Sequence, residues 1–232
     1  MPQEALLPLR RHALPAAAAM CARSFRDAPH IEYFFVDERR RDRDAEALFR
    51  MRLRYGLLYG EVYATSEQLE GISMWLPSKH ASFTMWREIR AGGTRLYRAV
   101  GADAVARMTQ VSKHNECLRT QSVATPHWFL SLIAVDPDHQ RQGHASHLLV
   151  PRLRRLDRDP LSCYAETTDR TVLSFYDRLG FDVGEPSVVP GTELAVWPLL
   201  RPPANELFSK PTDEAGRFTA APAPPAKHPE LP

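Results

Sequence analysis

The sequence predicts an α/β (α+β) fold, a sheet flanked by helices, and three stretches carry that reading. Residues 127–181 run strand, polar turn, helix, strand and short helix. Residues 61–76 hold two extended runs joined by a turn near Glu70-Gly71. Before and between them lie segments whose apolar residues recur at helical spacing. The composition agrees: 44% of the 232 residues are hydrophobic and 25% are charged, the balance of a soluble globular protein.

Taken in order, residues 5–10 (ALLPLR) form a short first strand. A helix follows over 15–27, because Pro15 suits a first helical turn, and Pro29 closes the segment. Residues 31–36 carry Tyr33, Phe34 and Phe35, read as core, with the wall of an acceptor pocket as the alternative. Residues 37–54 are dense in charges of both signs. They predict a solvated helix face with i,i+4 pairs, with Leu48, Tyr55 and Tyr59 on the buried side. Two strands follow at 61–66 and 72–76. Val62 and Ala64 alternate as in a half-buried strand, and Pro77 ends the second. Residues 83–119 read mainly helical, with Trp86, Ile89, Leu96, Val100, Val105 and Met108 as apolar faces and breaks at Gly92-Gly93 and Gly101.

Residues 128–135 predict a strand, 136–142 a polar turn, and Gly143 the start of a helix. Ala145, Leu148, Leu149, Leu153 and Leu156 form its buried stripe. Pro151 inside it predicts a kink, since a lost backbone bond costs roughly 3 kcal/mol. Arg152, Arg154, Arg155 and Arg158 are expected on a solvated face. A strand over 161–166 and a short helix with Phe175 and Tyr176 complete the unit. From Arg201 on, 8 of 32 residues are proline, so 203–232 is predicted to be a mobile tail behind a domain spanning 1–202.

The chemistry points to the turn Gln140-Arg141-Gln142-Gly143-His144-Ala145. The first amides of a helix lack partners within it, and the helix dipole makes that end positive. Together they suit a phosphate, and Arg141 adds a permanent cation. The P-loop and the G-x-G-x-x-G fingerprints are both absent. On its own the hexapeptide is equally an ordinary strand-to-helix turn.

Other classes are excluded on composition. A formal net charge of +2 gives no nucleic-acid surface. No apolar run reaches the roughly 18 residues of a membrane span, and the N-terminus has no signal-peptide pattern. Cys21, Cys117 and Cys163 are scattered, with neither a disulfide framework nor zinc spacing, so a reduced, cytoplasmic setting is expected. No metal is expected.

Several pieces in order and spacing carry a resemblance: Val135-x-Pro137, Gln140-x-x-Gly143-x-Ala145 and Phe175-Tyr176-x-x-Leu179-Gly180-Phe181. Over residues 127–184 the chain resembles the GCN5-related N-acetyltransferase superfamily, with the nearest likeness to its puromycin N-acetyltransferase-like members. The resemblance implies a twisted, mixed, mostly antiparallel sheet with a strand pair splayed at the cofactor site. It implies acetyl-CoA as cosubstrate. Gln140, Arg141, Gln142, Gly143, His144, Ala145 and Ser146 would hold its pyrophosphate. Ile133, Ala134 and Val135 would pair with the pantetheine arm. Tyr176 would protonate the departing thiolate. In this family an insertion like residues 80–120 often borders the acceptor site, which makes Trp75, Phe83 and Trp86 candidate pocket residues. His144 and Val172 depart from the usual aliphatic residue and asparagine.

These features predict an N-acetyltransferase that moves an acetyl group directly to a small-molecule primary amine in a ternary complex. Glu166, at a strand end, is the first candidate for general base, and Ser131 a weaker polar candidate. No nucleic-acid or membrane partner is expected, and the protein is read as a monomer or homodimer. The alternatives are a protein or peptide N-acetyltransferase and a non-catalytic acyl-CoA-binding module.

Overall fold

The computed structural model describes residues 6–124, 126–159 and 161–203. The predicted tail therefore lies, apart from Pro203, outside the described residues.

A short strand β1 (Leu7–Pro8) leads through a 3-10 turn into helix α1 (Leu14–Ser24), with Pro15 in its first turn as expected. Pro29 opens a short helix, α2 (Pro29–Phe34), rather than only closing the segment before it. Proline lacks an N–H, and a first helical position needs none. Helix α3 (Glu38–Tyr59) is capped by Asp37, whose carboxylate accepts from Arg39 N–H at 3.1 Å. Its charges are mostly outside, as in the Arg50–Glu46 pair at 2.5 Å, an exposed i,i+4 contact contributing roughly 0.3–0.5 kcal/mol. Leu48, Leu53 and Tyr55 are buried, and the Tyr55 hydroxyl donates to His80 O at 2.9 Å.

Strands β2 (Glu61–Ala64) and β3 (Gly71–Pro77) form the predicted hairpin. A one-turn helix, α4 (Ser78–Ala81), was not anticipated. Helices α5 (Met85–Ala91), α6 (Gly93–Val100) and α7 (Ala102–Ser122) follow. Their junctions are Gly92 and Gly101, at φ 101° and 84°. These are conformations a side chain resists.

Strand β4 (His127–Val135) leads by the polar turn to helix α8 (His144–Arg158), then β5 (Ser162–Thr167) and helix α9 (Leu173–Arg178). Strands β6 (Asp182–Val183), β7 (Ser187–Val188) and β8 (Ala195–Arg201) close the chain. The sheet order is β1-β2-β3-β4-β5-β8-β6, with β7 against β8. Among the described residues only the β4–β5 pair is parallel.

Both faces of the sheet are covered. Met74, Leu76, Phe129 and Tyr164 join the cluster under α1, α3 and α7. Trp75, Leu130, Cys163 and Ala165 join the cluster under α8 and α9. Neighbours along a strand point to opposite faces, so β4 reads as almost continuously apolar. Its alternation breaks once. The pairing runs Met74↔Leu132 and then Trp75↔Leu130, so Ser131 is an extra residue, a bulge. Leu132 thereby turns to the same face as Phe129.

The arginines of α8 do not all lie in solvent. Arg152 is 5% exposed, 4.1 Å from the Trp128 ring and 5.8 Å from that of Trp75, with Glu61 at 3.0 Å. A guanidinium's flat faces stack on indoles while its edge meets a carboxylate. Helix α8 runs on through Pro151.

Candidate active site

The site forms where β4 and β5 part company. Their parallel register ends at Leu130↔Ala165. Beyond it β4 stays with β3 as far as Gly71↔Val135, and β5 turns to β8 through Thr167↔Trp197. Asp136 N–H donates to Glu70 O at 2.8 Å on the β3 side. Groups alternate along an antiparallel ladder, so the backbone of Ile133 and Val135 faces the gap. The Val135 carbonyl accepts from Gln140 Nε2 at 3.4 Å. Next to the parting, the Ser131 hydroxyl oxygen is buried without a hydrogen-bond partner among the described residues.

The polar turn stands at the mouth of this gap. Arg141 takes φ 60°, a strained value for a residue with a side chain. Gly143 caps α8 at φ 88°, and a Cβ there would meet nothing within 4 Å. His147 is the first amide to find an acceptor in the helix, at 2.9 Å from Gly143 O. The amides of His144, Ala145 and Ser146 thus have no partner within α8. Asp136 anchors the turn through an ion pair with Arg23 of α1. That contact, with the hydrogen bond from Asp138 N–H, holds its carboxyl below the usual range against the opposing pull of burial.

A cleft of about 1090 Å³ joins these features. Ile133, Val135, Gln140, Arg141, Gly143, His144, Ala145, Ser146, Glu166 and Tyr176 all line it. Two sequence candidates do not. Ala134 is buried and pairs with Ile72, and Gln142 is exposed, bonding Asp138 O at 3.2 Å.

Tyr176 is 5% exposed and set edge-on to Phe175 and Phe181. Burial, and to a lesser degree Cys163, pushes its hydroxyl above the usual phenol range. Across the cleft, Glu166 accepts from Asn115 Nδ2 at 2.7 Å and from the Tyr164 hydroxyl at 3.4 Å. Burial raises its carboxyl, while Asn115, Arg52 and Arg119 pull it down; burial prevails. His30 lines the cleft too, with Nδ1 at 2.9 Å from Thr168 Oγ1. Burial and the Arg52 charge push it down to about 4, so its ring is neutral at pH 7.

Of the three aromatic pocket candidates, one fits. Phe83 lines a recess beside Glu166. Trp75 is wholly buried on the far face of the sheet under α8, and Trp86 is 80% exposed on α5. Asn115, Arg52 and His30 were missed, because they come from α7, α3 and α2, each tens of residues from Glu166. Among the described residues no group of three His, Cys, Asp or Glu side chains is placed to hold a metal. None of their helices is long and apolar enough to cross a membrane.

Residues 61–181 match the acetyltransferase (GNAT) family, and the chain belongs to it. This is a family of transferases that generally takes an acyl group from acetyl-CoA. Solved structures show the same fold. A Corynebacterium glutamicum protein described as histone acetyltransferase HPA2 and related acetyltransferase is 18% identical, with TM-score 0.61 over 86% of this chain and 96% of its own. The C-terminal condensation domain of Ebony, solved with beta-alanyl-dopamine, is 8% identical, with TM-score 0.62 over 85% and 98%. An agmatine N-acetyltransferase is 11% identical, with TM-score 0.54 over 84% and 98%.

Proposed function

We propose that this protein moves the acetyl group of acetyl-CoA to a primary amine of a small molecule, by direct transfer with both bound in the one cleft. We further propose that a domain over residues 1–202, with 80–120 as a helical insertion, acts as one catalytic unit, with its nearest kin among puromycin N-acetyltransferase-like enzymes. One observation carries the reading. The β4–β5 parting lies beside the open amino end of α8, and Tyr176 and Glu166 line the cleft that joins them.

The chain's groups fit acetyl-CoA. The amides of His144, Ala145 and Ser146, without acceptors within α8, and Gln140, Arg141 and Gly143 around them suit a pyrophosphate. The space at the Gly143 Cβ position lets a ligand come close. The free edge at Ile133 and Val135 offers donors and acceptors to a pantetheine amide. Their amides and the Ser131 hydroxyl also suit the thioester oxygen as negative charge grows on it.

Acetyl-CoA supplies an activated acyl carbon whose bond to sulfur breaks as the bond to nitrogen forms. Glu166 takes the proton the amine gives up; its raised affinity for protons brings it nearer the working pH of a base. Tyr176 gives its proton to the sulfur that leaves; like any phenol it is protonated at neutral pH, and burial pushes its titration further up. Holding both reactants in one cleft supplies much of the rate by proximity.

The agmatine enzyme among the structural neighbours acts on a small amine by its name and the histone acetyltransferase among them on a protein, so an acceptor screen has to separate the two classes. The experiment is thermal unfolding with acetyl-CoA, with ATP and NAD as controls, followed by an amine screen for free CoA thiol. The expected result is a shift with acetyl-CoA, about 2.7 kcal/mol at one hundred times the dissociation constant, and thiol release with small amines. No shift at millimolar acetyl-CoA overturns the reading. A shift without thiol release from any amine favours a non-catalytic acyl-CoA-binding module.

A further inference from the structure

The cleft has a second compartment. A recess of about 60 Å³ adjoins it, and Phe34, Leu48, Arg52, Val111, Asn115 and Glu166 line both. By volume it takes a few waters or one small polar group, not a side chain of any size.

One of its cations has no close partner. Arg52, from α3, has its guanidinium carbon 4.4 Å above the centre of the Phe83 ring. Among the described residues it makes no ion pair and no hydrogen bond. Arg119, from α7, is 5% exposed, donates to Ser82 Oγ at 3.2 Å and lies over the Phe129 ring. Guanidinium groups keep their charge when buried. The buried acid facing them is Glu166, which already accepts from Asn115 and Tyr164. Glu116 reaches the recess from an exposed position where water screens it. Glu88 accepts from the Tyr97 hydroxyl at 2.6 Å and its negative field reaches Arg52, but among the described residues the two form no ion pair. A guanidinium with five donors and no acceptor, in a partly dry recess, is a costly arrangement unless an anion completes it. A second open position lies beside it, since the Asn115 amide oxygen is buried with no partner among the described residues.

Resting on the acetyltransferase reading, we propose that the acceptor is a small amine that also carries a carboxylate, and that Arg52, helped by Arg119, holds that carboxylate in the recess. The amine then lies toward Glu166, with the Asn115 amide oxygen as an acceptor for one of its N–H groups. The two guanidiniums also lower the proton affinity of a nearby ammonium, which favours the neutral amine that the reaction needs. Phe34, Leu48 and Phe83 face the part of the acceptor between its two polar ends.

Two readouts test this. The first needs no catalysis: binding of 3-phenylpropionate against 3-phenylpropionamide to the full chain, by calorimetry or thermal shift. The acid is expected to bind at least tenfold more tightly, and Arg52→Gln to erase the difference, with Arg52→Lys restoring part of it. The second is acetyl transfer to the common amino acids, β-alanine and γ-aminobutyrate, each beside its amide or decarboxylated counterpart. The carboxylate-bearing member is expected to win by tenfold or more in kcat/KM, chiefly through KM, and Arg52→Gln to shrink that ratio toward one, whatever it does to the rates of both members. Equal binding of acid and amide by the wild-type protein overturns the proposal, as does a wild-type preference for the decarboxylated amines. Should Arg52→Gln fail to fold, the wild-type comparisons alone decide. Failure of the acetyltransferase reading looks different, because acetyl-CoA itself then gives no thermal shift.

Discussion

Replacing Gly143 by alanine separates a backbone cost from a ligand cost. Gly143 takes φ 88° and ψ −1°, and a Cβ there would touch no protein atom within 4 Å. The free protein therefore suffers no clash and carries only the left-handed penalty, about 1–2 kcal/mol. In a chain of this size that lowers Tm by roughly 2–8 °C. Gly191 is a matched control: it takes φ 74°, with nothing within 4 Å of a built Cβ, and lies between β7 and β8 away from the cleft. Both variants should lose similar stability without ligand. They should differ with acetyl-CoA, because at Gly143 the methyl enters the space assigned to the pyrophosphate. A tenfold loss of affinity cuts the stabilisation at one hundred times the wild-type dissociation constant from about 2.7 to about 1.4 kcal/mol. Thermal unfolding of the two variants and the wild type, with and without acetyl-CoA, reads this directly. If Gly143→Ala keeps the full acetyl-CoA shift while losing stability like Gly191→Ala, the turn does not hold the pyrophosphate.

Three further outcomes follow from the same geometry. Tyr176→Phe should lower kcat by about 10²–10⁴ with acetyl-CoA binding intact, read by steady-state kinetics and thermal shift; unchanged turnover at every pH would remove the acid role. Glu166→Gln should abolish the acid limb of the kcat/KM profile. It should also raise stability at pH 8 relative to the wild type: the Glu166 pKa is raised on folding, so the folded state binds the extra proton and the wild type loses stability as pH climbs from the unfolded value through the folded one, a loss that glutamine avoids. Chemical denaturation at pH 5 and pH 8 checks that sign. Arg152→Ala should cost roughly 2–4 kcal/mol, because it empties the space beside two indoles and removes the cation paired with Glu61, though the Tyr63 hydroxyl still donates to Glu61 at 3.1 Å and its 30% exposure keeps this below the full cost of a stranded charge. Denaturant melts measure it, and a loss under 1 kcal/mol would mean the stack contributes little.

The local structure was legible in the sequence because it is driven by neighbours along the chain. Gly92 and Gly101 mark the helix breaks, since only glycine takes those φ values without strain. The apolar stripe of α8, the hairpin at Glu70-Gly71 and the turn ending in Gly143 depend on residues within a few positions of each other. The turn proposed to hold the pyrophosphate stood out for the same reason: its chemistry is that of a helix end. Pro29 shows the limit even here, because proline both ends one segment and opens the next.

What the tertiary structure decided is which side chains meet. Ser131 looks like any polar residue in a strand, and only its pairing with β3 makes it a bulge that resets the faces of β4. Arg152 reads as one more solvated arginine until two indoles and Glu61 close around it. Trp75 and Trp86 are equally apolar in the sequence, yet one is sealed beneath α8 and the other stands in solvent. The recess beside the cleft brings Arg52, Asn115, Arg119 and Glu166 together from three separate elements. No local periodicity encodes such a meeting; it follows from how α3 and α7 lie across the sheet, and burial there raises the proton affinity of Glu166 and lowers that of Arg52.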